Sequence, residues 1–209
     1  MQSFSRILDL CQSFSDTLPG VVFIGGVAVY LHACEAAVAT IVPESSHDAD
    51  FMISFSGYGC LKDMEEITYN SRQCKHQMIV DEVEFDIYVE RLNGLIVPYD
   101  DAYAQADTIG TVQVACLEHL LVLKLEAFKS RKHSSKGEKD RRDMVKIGLL
   151  LGRKSRIDLI EPYMREELAA LLREVARSSV FHDLCGRDAH AAKGMREEFA
   201  GFVDDVMGG

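Results

Sequence analysis

The sequence lacks the features that mark membrane, secreted and zinc-binding proteins. No apolar run approaches the roughly 20 residues that a membrane-spanning helix needs. The six cysteines include no Cys-x-x-Cys pair, which disfavours both a zinc site and a disulfide framework. Residues 1–6 lack the charged-then-apolar layout of a secretory signal. No internal repeat or low-complexity tract is present either. We therefore expect a cytoplasmic protein with no membrane partner.

The chain is acidic, but its charge is unevenly distributed. The formal net charge is −10, yet residues 124–156 hold twelve of the 23 Lys and Arg residues and only four acidic ones. That segment carries about +8 and the rest of the chain about −18. An acidic body repels phosphate backbones, whereas a basic segment can seat a nucleotide or a tRNA. A solvated helix face explains the same pattern, and the sequence leaves both explanations open.

Hydrophobic periodicity changes along the chain near residue 116. Before that point, short apolar runs predict strands at 21–24, 49–55, 74–80, 84–89 and 111–115. Helices are predicted between them at 3–17, 27–34 and 62–69, with a link at 56–60. After Leu117 the period becomes 3.6 and predicts helices at 118–131, 138–151, 161–177 and 193–206. We therefore predict an α+β fold, with an α/β core at 1–116 and a helical domain at 117–209.

Three aspartates lie in or beside predicted strands. Asp48 and Asp50 flank one alanine, and because side chains alternate along a strand, both point to one face about 7 Å apart. Asp86 lies on the polar face of the strand predicted at 84–89. If the two strands are neighbours, the three carboxylates form a cluster whose mutual repulsion requires cations. Mg²⁺ or Mn²⁺ suits such an all-oxygen site. A pair of solvent-facing acids is the plainer interpretation of Asp48 and Asp50.

A glycine pair follows the first predicted strand. Gly25 and Gly26 separate the apolar run 21–24 from the helix predicted at 27–34. Because N–H groups at the start of a helix bind phosphate favourably, the pair is a candidate for triphosphate binding, and a plain tight turn is the alternative. A glycine turn combined with three carboxylates is the equipment of a metal-dependent nucleotidyl transfer site.

The order of these residues resembles the nucleotidyltransferase superfamily with the polymerase-β-like fold. Within it, the chain is most similar to the AbiEii-type toxin group, the nucleotidyltransferase half of a bacterial toxin–antitoxin pair. The first matching region runs from Gly25 to His32 and on to the three aspartates. The second comprises 124–131 followed by the Lys-Asp-x-x-Asp element at 139–143. The resemblance implies a mixed sheet with flanking helices, followed by a helical C-terminal half.

The resemblance also implies roles for the matching residues of the first half. Gly25 and Gly26 would contact the triphosphate, and Asp48 and Asp50 would bind the metal. Asp86 would be the third metal-binding and catalytic carboxylate, near the attacking hydroxyl.

In the helical half, Lys124 would be catalytic and would neutralise phosphate charge. Arg131, Asp140 and Asp143 would belong to the nucleotide-binding site. The two aspartates lie three residues apart on one helix face, so they could orient Lys124 or Arg131, or touch the nucleotide. The alternative is an exposed helix with paired charges, because basic residues surround both aspartates.

The implied activity moves a nucleoside monophosphate from a nucleoside triphosphate to an acceptor hydroxyl. Candidate acceptors are a tRNA 3′ end, a protein side chain and a small molecule such as an antibiotic. A toxin of this group would arrest growth until a cognate antitoxin blocks it. The group often carries an arginine just before the acidic pair, where this chain has Ser45, Ser46 and His47. A catalytically silent relative that binds a nucleotide or a partner is therefore an alternative.

Overall fold

The computed structural model describes residues 4–38, 41–152, 155–186 and 188–208. The chain divides into two compact units, one ending at Cys116 and the other beginning at Leu117. We call them the sheet unit and the helical unit. None of the helices in the described ranges is both long and apolar enough to cross a lipid bilayer.

The sheet unit alternates helices with short strands. Its described helices are α1 (Phe4–Thr17), α2 (Gly25–Ala36), α3 (Phe55–Met64) and α4 (Tyr99–Ala104). Its described strands are β1 (Val21–Ile24), β2 (Asp48–Ile53), β3 (Thr68–Asn70), β4 (Lys75–Val80), β5 (Val83–Val89), β6 (Asp107–Ile109) and β7 (Val112–Val114).

In the described part of the chain, these seven strands form one mixed sheet in the order β3-β4-β5-β2-β1-β7-β6. The pairs β2–β5 and β1–β7 are parallel, and the other neighbours are antiparallel. A two-residue turn joins β4 to β5, and both of its residues, Asp81 and Glu82, have positive φ angles, as the tightest hairpin turns require. The sheet therefore places β2 at its centre, between β1 and β5.

Alternation along β2 and β5 separates an apolar face from an acidic one. Phe51 and Phe85 are fully buried and pack with Phe14 of α1, whose ring centroid lies 5.2 Å from that of Phe85. Phe23 of β1 extends this aromatic core, 5.5 Å from Phe51. Because successive strand residues point to opposite faces, the aspartates of β2 and β5 lie on the face away from the aromatic core.

The helical unit is built from packed helices. Its described α-helices are α5 (Leu117–Arg131), α6 (Ser135–Leu151), α7 (Glu166–Ala176), α8 (Val180–Leu184) and α9 (Ala189–Gly208). Ser134 caps α6, because its side chain accepts a hydrogen bond from the Gly137 N–H at 3.1 Å. At Gly148 of α6, an added Cβ would lie 2.5 Å from the ring of Phe199 of α9. A glycine is needed there for α6 and α9 to pack closely.

The predicted α+β class, with its mixed sheet and helical C-terminal half, is confirmed. Three local predictions are wrong. The helix predicted at 62–69 covers only the last turn of α3, which ends at Met64, because Thr68 and Tyr69 pair with β4 as part of β3. The predicted link at 56–60 is helical, because the Ser54 side chain caps α3 by accepting a hydrogen bond from the Gly57 N–H at 3.0 Å. The helix predicted at 161–177 begins instead as a short 3-10 helix, Glu161–Tyr163, and α7 follows from Glu166. The short elements α4, α8, β3 and β6 were not predicted, because each spans too few residues to show a period.

Candidate active site

Strand pairing brings two of the predicted aspartates side by side. Asp50 of β2 is the register partner of Asp86 on the parallel strand β5, and on its other side it is the partner of Ile24, the last residue of β1. Neighbouring strands lie about 4.8 Å apart. Asp48 lies two residues before Asp50 on β2, so its side chain points to the same face, and it is in register with Glu84. We call these four acidic residues the carboxylate face.

The burial of the aspartates differs across this face. Asp86 is 7% exposed, whereas Asp48 and Asp50 are half-buried. Ser46, which is buried in the loop before β2, donates a hydrogen bond from Oγ to Asp48 Oδ1 at 3.0 Å. This bond fixes one oxygen of Asp48 and leaves the carboxylate accessible from the solvent side.

Gly25 fits tightly against Asp50. It begins α2 directly after β1 and has a φ of +67°, a left-handed conformation that glycine adopts without a steric penalty. A Cβ added at Gly25 would overlap Asp50 Oδ2 and lie 3.0 Å from Asp50 Cγ. The residue at the N-cap of α2 is Ile24, whose side chain cannot accept a hydrogen bond. The first N–H groups of α2, including that of buried Gly26, therefore begin beside Asp50 without a side-chain cap.

A lysine and a glutamine on β4 hold Asp86. Lys75 is 9% exposed, and its ammonium pairs with Asp86 Oδ2. Gln77 donates from Nε2 to Asp86 Oδ1 at 2.9 Å and to Glu84 Oε1 at 3.0 Å. Both oxygens of Asp86 thus have a partner from β4. Sequence reasoning missed both residues, although a two-residue turn at 81–82 already placed Gln77 opposite Asp86.

The carboxylate face suits a hard divalent cation at Asp48 and Asp50. Both side chains offer oxygen ligands on one face, the ligand type that Mg²⁺ and Mn²⁺ prefer, and the absence of a Cβ at Gly25 lets the Asp50 carboxylate lie directly against the start of α2. Within the described ranges, no three His, Cys, Asp or Glu residues are already grouped to hold a metal ion. Asp86 is instead engaged by Lys75 and Gln77.

The four predicted residues of the helical unit form a buried ion cluster of their own. Lys124 Nζ lies 3.1 Å from Asp140 Oδ1 and 2.8 Å from Asp143 Oδ2. Arg131 binds Asp140 through Nε at 2.7 Å and Nη2 at 3.0 Å. The side chains of Lys124 and both aspartates are at most 8% exposed, and that of Arg131 is 38% exposed. The exposed-helix alternative for Asp140 and Asp143 is therefore wrong.

The electrostatics of this buried ion cluster keep Lys124 charged. Burial alone would lower the pKa of Lys124, but Asp143 and Asp140 outweigh it and raise that pKa above its ordinary value. Two cations thus face two carboxylates. The geometry matches the orienting role considered for the aspartates, and contact of these residues with a nucleotide stays a prediction.

Comparison with known proteins identifies the fold. No protein-family model matches the sequence, and no curated protein matches it significantly. The Helicobacter pylori protein JHP933 aligns with 98% of this chain and 92% of its own, at 13% identity and a TM-score of 0.53. A Helicobacter pylori protein provisionally described as a nucleotidyltransferase aligns with 97% of this chain and 92% of its own, at 14% identity and a TM-score of 0.50.

A third solved structure, an antigenic nucleotidyltransferase-like protein from Paracoccidioides brasiliensis, aligns with 91% of both chains at 16% identity and a TM-score of 0.49. At such low identities a structural likeness establishes a fold and not an activity. The chain described here has a nucleotidyltransferase-like fold.

Proposed function

We propose that the protein is a metal-dependent nucleotidyltransferase, which moves a nucleoside monophosphate from a nucleoside triphosphate to an acceptor hydroxyl. One observation carries the proposal. Asp50 lies in register between Asp86 and the end of β1, where Gly25 has a positive φ angle and no room for a side chain. A glycine backbone that lies directly against a carboxylate, beside the uncapped start of a helix, suits a phosphate next to a cation.

The aspartates of the carboxylate face and the residues beside them have separate tasks in this proposal. Asp48 and Asp50 hold the divalent cation, and Ser46 orients Asp48. The N–H groups at Gly25 and Gly26 face the triphosphate. When bound, the cation would neutralise phosphate charge and stabilise the pyrophosphate that leaves.

Asp86 assists the acceptor. As the acceptor oxygen forms its bond to the α-phosphorus, the bond from that phosphorus to pyrophosphate breaks. The hydroxyl proton passes to a carboxylate oxygen of Asp86. Because Lys75 and Gln77 hold Asp86 in place, the carboxylate is oriented before substrate arrives.

The helical unit contributes its buried ion cluster to the proposed activity. Arg131 retains the most exposed cationic side chain of the buried ion cluster, and Asp140 holds it through two hydrogen bonds. Lys124 pairs with Asp140 and Asp143 behind it. The resemblance to toxin nucleotidyltransferases supports a nucleotide contact by these residues. The tRNA or protein acceptor, the toxin role and the antitoxin rest on that resemblance alone.

A catalytically silent nucleotide-binding protein is the second candidate. The engagement of both Asp86 oxygens by β4 favours it, because a carboxylate that never releases its partners would not take up a proton.

The experiment uses the purified chain with Mg²⁺ or Mn²⁺ and α-³²P-labelled nucleoside triphosphates. Total tRNA, the protein itself and an aminoglycoside are offered as acceptors. We expect label transfer and pyrophosphate release by the wild type and their loss in Asp50→Asn. Asp107→Asn is the matched control, because Asp107 is an exposed residue of the edge strand β6.

The outcomes separate the candidates. Equal activity of Asp50→Asn and wild type would refute this site, and nucleotide binding without turnover would favour the silent candidate. The acceptor that takes the label decides between RNA, protein and small-molecule modification. Growth arrest on expression of the wild type, and its absence with Asp50→Asn, would support a toxin role.

A further inference from the structure

Lys75 is a buried cation at a place where the proposed activity calls for a metal. Its side chain is 11% exposed and that of Asp86 is 9% exposed. Withdrawing an ammonium group from water is unfavourable unless an opposite charge compensates it. The charge of Lys75 is compensated by Asp86, the third aspartate of the proposed site. Because both side chains are buried, their ion pair is a fixed contact and not one between mobile surface groups.

The remaining contacts of Asp86 strengthen this arrangement. Gln77 Nε2 donates to Asp86 Oδ1, the carboxylate oxygen that does not pair with Lys75, and it also donates to Glu84 Oε1. Lys75 and Gln77 are two residues apart on β4 and therefore share one face. A divalent cation on Asp86 would have to approach within a few ångströms of the ammonium, and like charges at that distance repel strongly.

We propose that Lys75 is a built-in cation that replaces a second divalent ion at Asp86, so that the carboxylate face binds a single divalent cation, at Asp48 and Asp50. This inference rests on the proposed function and refines it. Lys75 is a positioning residue, because it acts through Asp86. In a two-metal site the third carboxylate would instead be neutralised by an ion shared with the attacking oxygen.

The inference predicts the number of bound ions and not only the activity. Without Lys75, β4 would supply no positive charge to the carboxylate face. A second divalent ion could then bind at Asp86 and would compensate its negative charge. Substitution of Lys75 by a neutral residue of similar length should therefore create an ion site at Asp86.

The experiment is Mn²⁺ titration of the full chain without nucleotide, followed by electron paramagnetic resonance of the free ion. We expect one tightly bound Mn²⁺ per chain in the wild type and in Lys75→Arg, and two in Lys75→Met. The double variant Lys75→Met/Asp86→Asn should return to one. Lys62→Met is the control, because Lys62 is an exposed lysine of α3 that lies over the ring of Tyr58.

Two wild-type ions, or an unchanged count in Lys75→Met, would overturn the inference and leave the proposed function standing. No Mn²⁺ binding by the wild type, with Asp50→Asn indistinguishable from it, would refute the proposed function and this inference with it. If Lys75→Met does not fold by circular dichroism, Asp86→Asn decides alone. That variant should keep the Mn²⁺ affinity of the wild type, whereas loss of a true ligand should weaken it by at least about tenfold.

Discussion

The carboxylate face of the sheet unit and the buried ion cluster of the helical unit both bring aspartates together, but they differ in burial and in the number of acidic side chains. In the helical unit, two cations meet two carboxylates at 2.7 to 3.1 Å. On the carboxylate face, four acidic side chains stand beside Lys75. A pair of like charges about 5 Å apart costs roughly 3 kcal/mol at the effective dielectric of a protein surface.

Under the proposed function, this difference separates a cluster that holds a fold together from one that takes up a ligand. In the buried ion cluster the charges compensate one another, and the two aspartates are sealed from water, since they are at most 3% exposed. The carboxylate face is half-open at Asp48 and Asp50, and under the proposed function a bound cation would add to its stability. The following variants test whether the comparison holds.

Removal of Lys124 should have the largest effect on stability. Lys124→Met leaves Asp140 and Asp143 buried without this cation, which should lower the free energy of unfolding by about 3–5 kcal/mol. Urea denaturation of the variant and the wild type measures the loss. Neutralising both aspartates as well should restore part of it, because the remaining penalty is that of uncompensated buried charge.

Lys129→Met is the control for Lys124→Met. Lys129 lies on the same helix, and its side chain is 43% exposed and paired with Glu167, so this variant should unfold like the wild type. If Lys124→Met has the same free energy of unfolding as the wild type but loses nucleotidyl transfer, Lys124 acts on phosphate as the resemblance implies. The buried ion cluster would then not be a purely structural one.

Gly25→Ala should have the next largest effect, and it tests the carboxylate face. Left-handed backbone costs a non-glycine residue about 1–2 kcal/mol, and here the new Cβ would also overlap the Asp50 carboxylate. We expect loss of stability together with loss of Mn²⁺ affinity, measured by urea denaturation and by metal titration.

Gly110→Ala separates the two causes. Gly110 has a φ of +63°, close to the +67° of Gly25, but a Cβ there meets nothing within 4 Å. This variant should show the backbone penalty and keep its metal affinity. Equal metal affinity in the two variants would mean that Gly25 serves only the turn.

For the carboxylate face, the sequence predicted the pattern within each strand better than the pairing between the strands. Alternation along β2 and β5 was enough to place Asp48, Asp50 and Asp86 on polar faces. The parallel pairing of Asp50 with Asp86 could only be assumed, because about 30 residues and two other strands separate β2 from β5. Lys75 was within reach of prediction, since the turn at 81–82 fixes the register of the hairpin.

The buried ion cluster was harder to predict, for a different reason. Spacing places Asp140 and Asp143 on one helix face, but a run rich in Lys and Arg around them is typical of an exposed helix. Only packing against α5, which supplies Lys124 and Arg131, decides that this face is buried. Charge pattern along one helix does not reveal the charges on its neighbour.

Removal of the Ser46 hydroxyl should weaken ion binding without affecting the fold. Ser46 donates to Asp48 Oδ1 at 3.0 Å, and loss of a group that orients a metal ligand typically lowers metal affinity by about 10- to 100-fold. Mn²⁺ titration of Ser46→Ala measures the change. The neighbouring exposed Ser45→Ala is the control, and an equal affinity of both variants would show that Asp48 needs no support or binds no metal.

The smallest expected effect concerns Glu118 of α5, a carboxylate that pairs with Arg156 outside the buried ion cluster. Burial alone would raise the pKa of Glu118, but hydrogen bonds from the Arg156 backbone and side chain outweigh it and lower that pKa below the ordinary value of 4.5. Because folding lowers the pKa of Glu118, its ionised carboxylate stabilises the fold at pH values above 4.5. This stabilisation is lost as the pH falls through the pKa of the folded state.

Glu118→Gln should therefore cost about 1 kcal/mol at neutral pH, a modest amount because the Arg156 side chain is 46% exposed. The difference from the wild type should be constant above pH 4.5 and should shrink as the pH falls below it. Urea denaturation across this range measures it. If the difference in free energy of unfolding does not vary with pH, the hydrogen-bond geometry of Glu118, and not its charge, stabilises the helical unit. Charge pairing would then be a poor guide to which clusters hold this fold together.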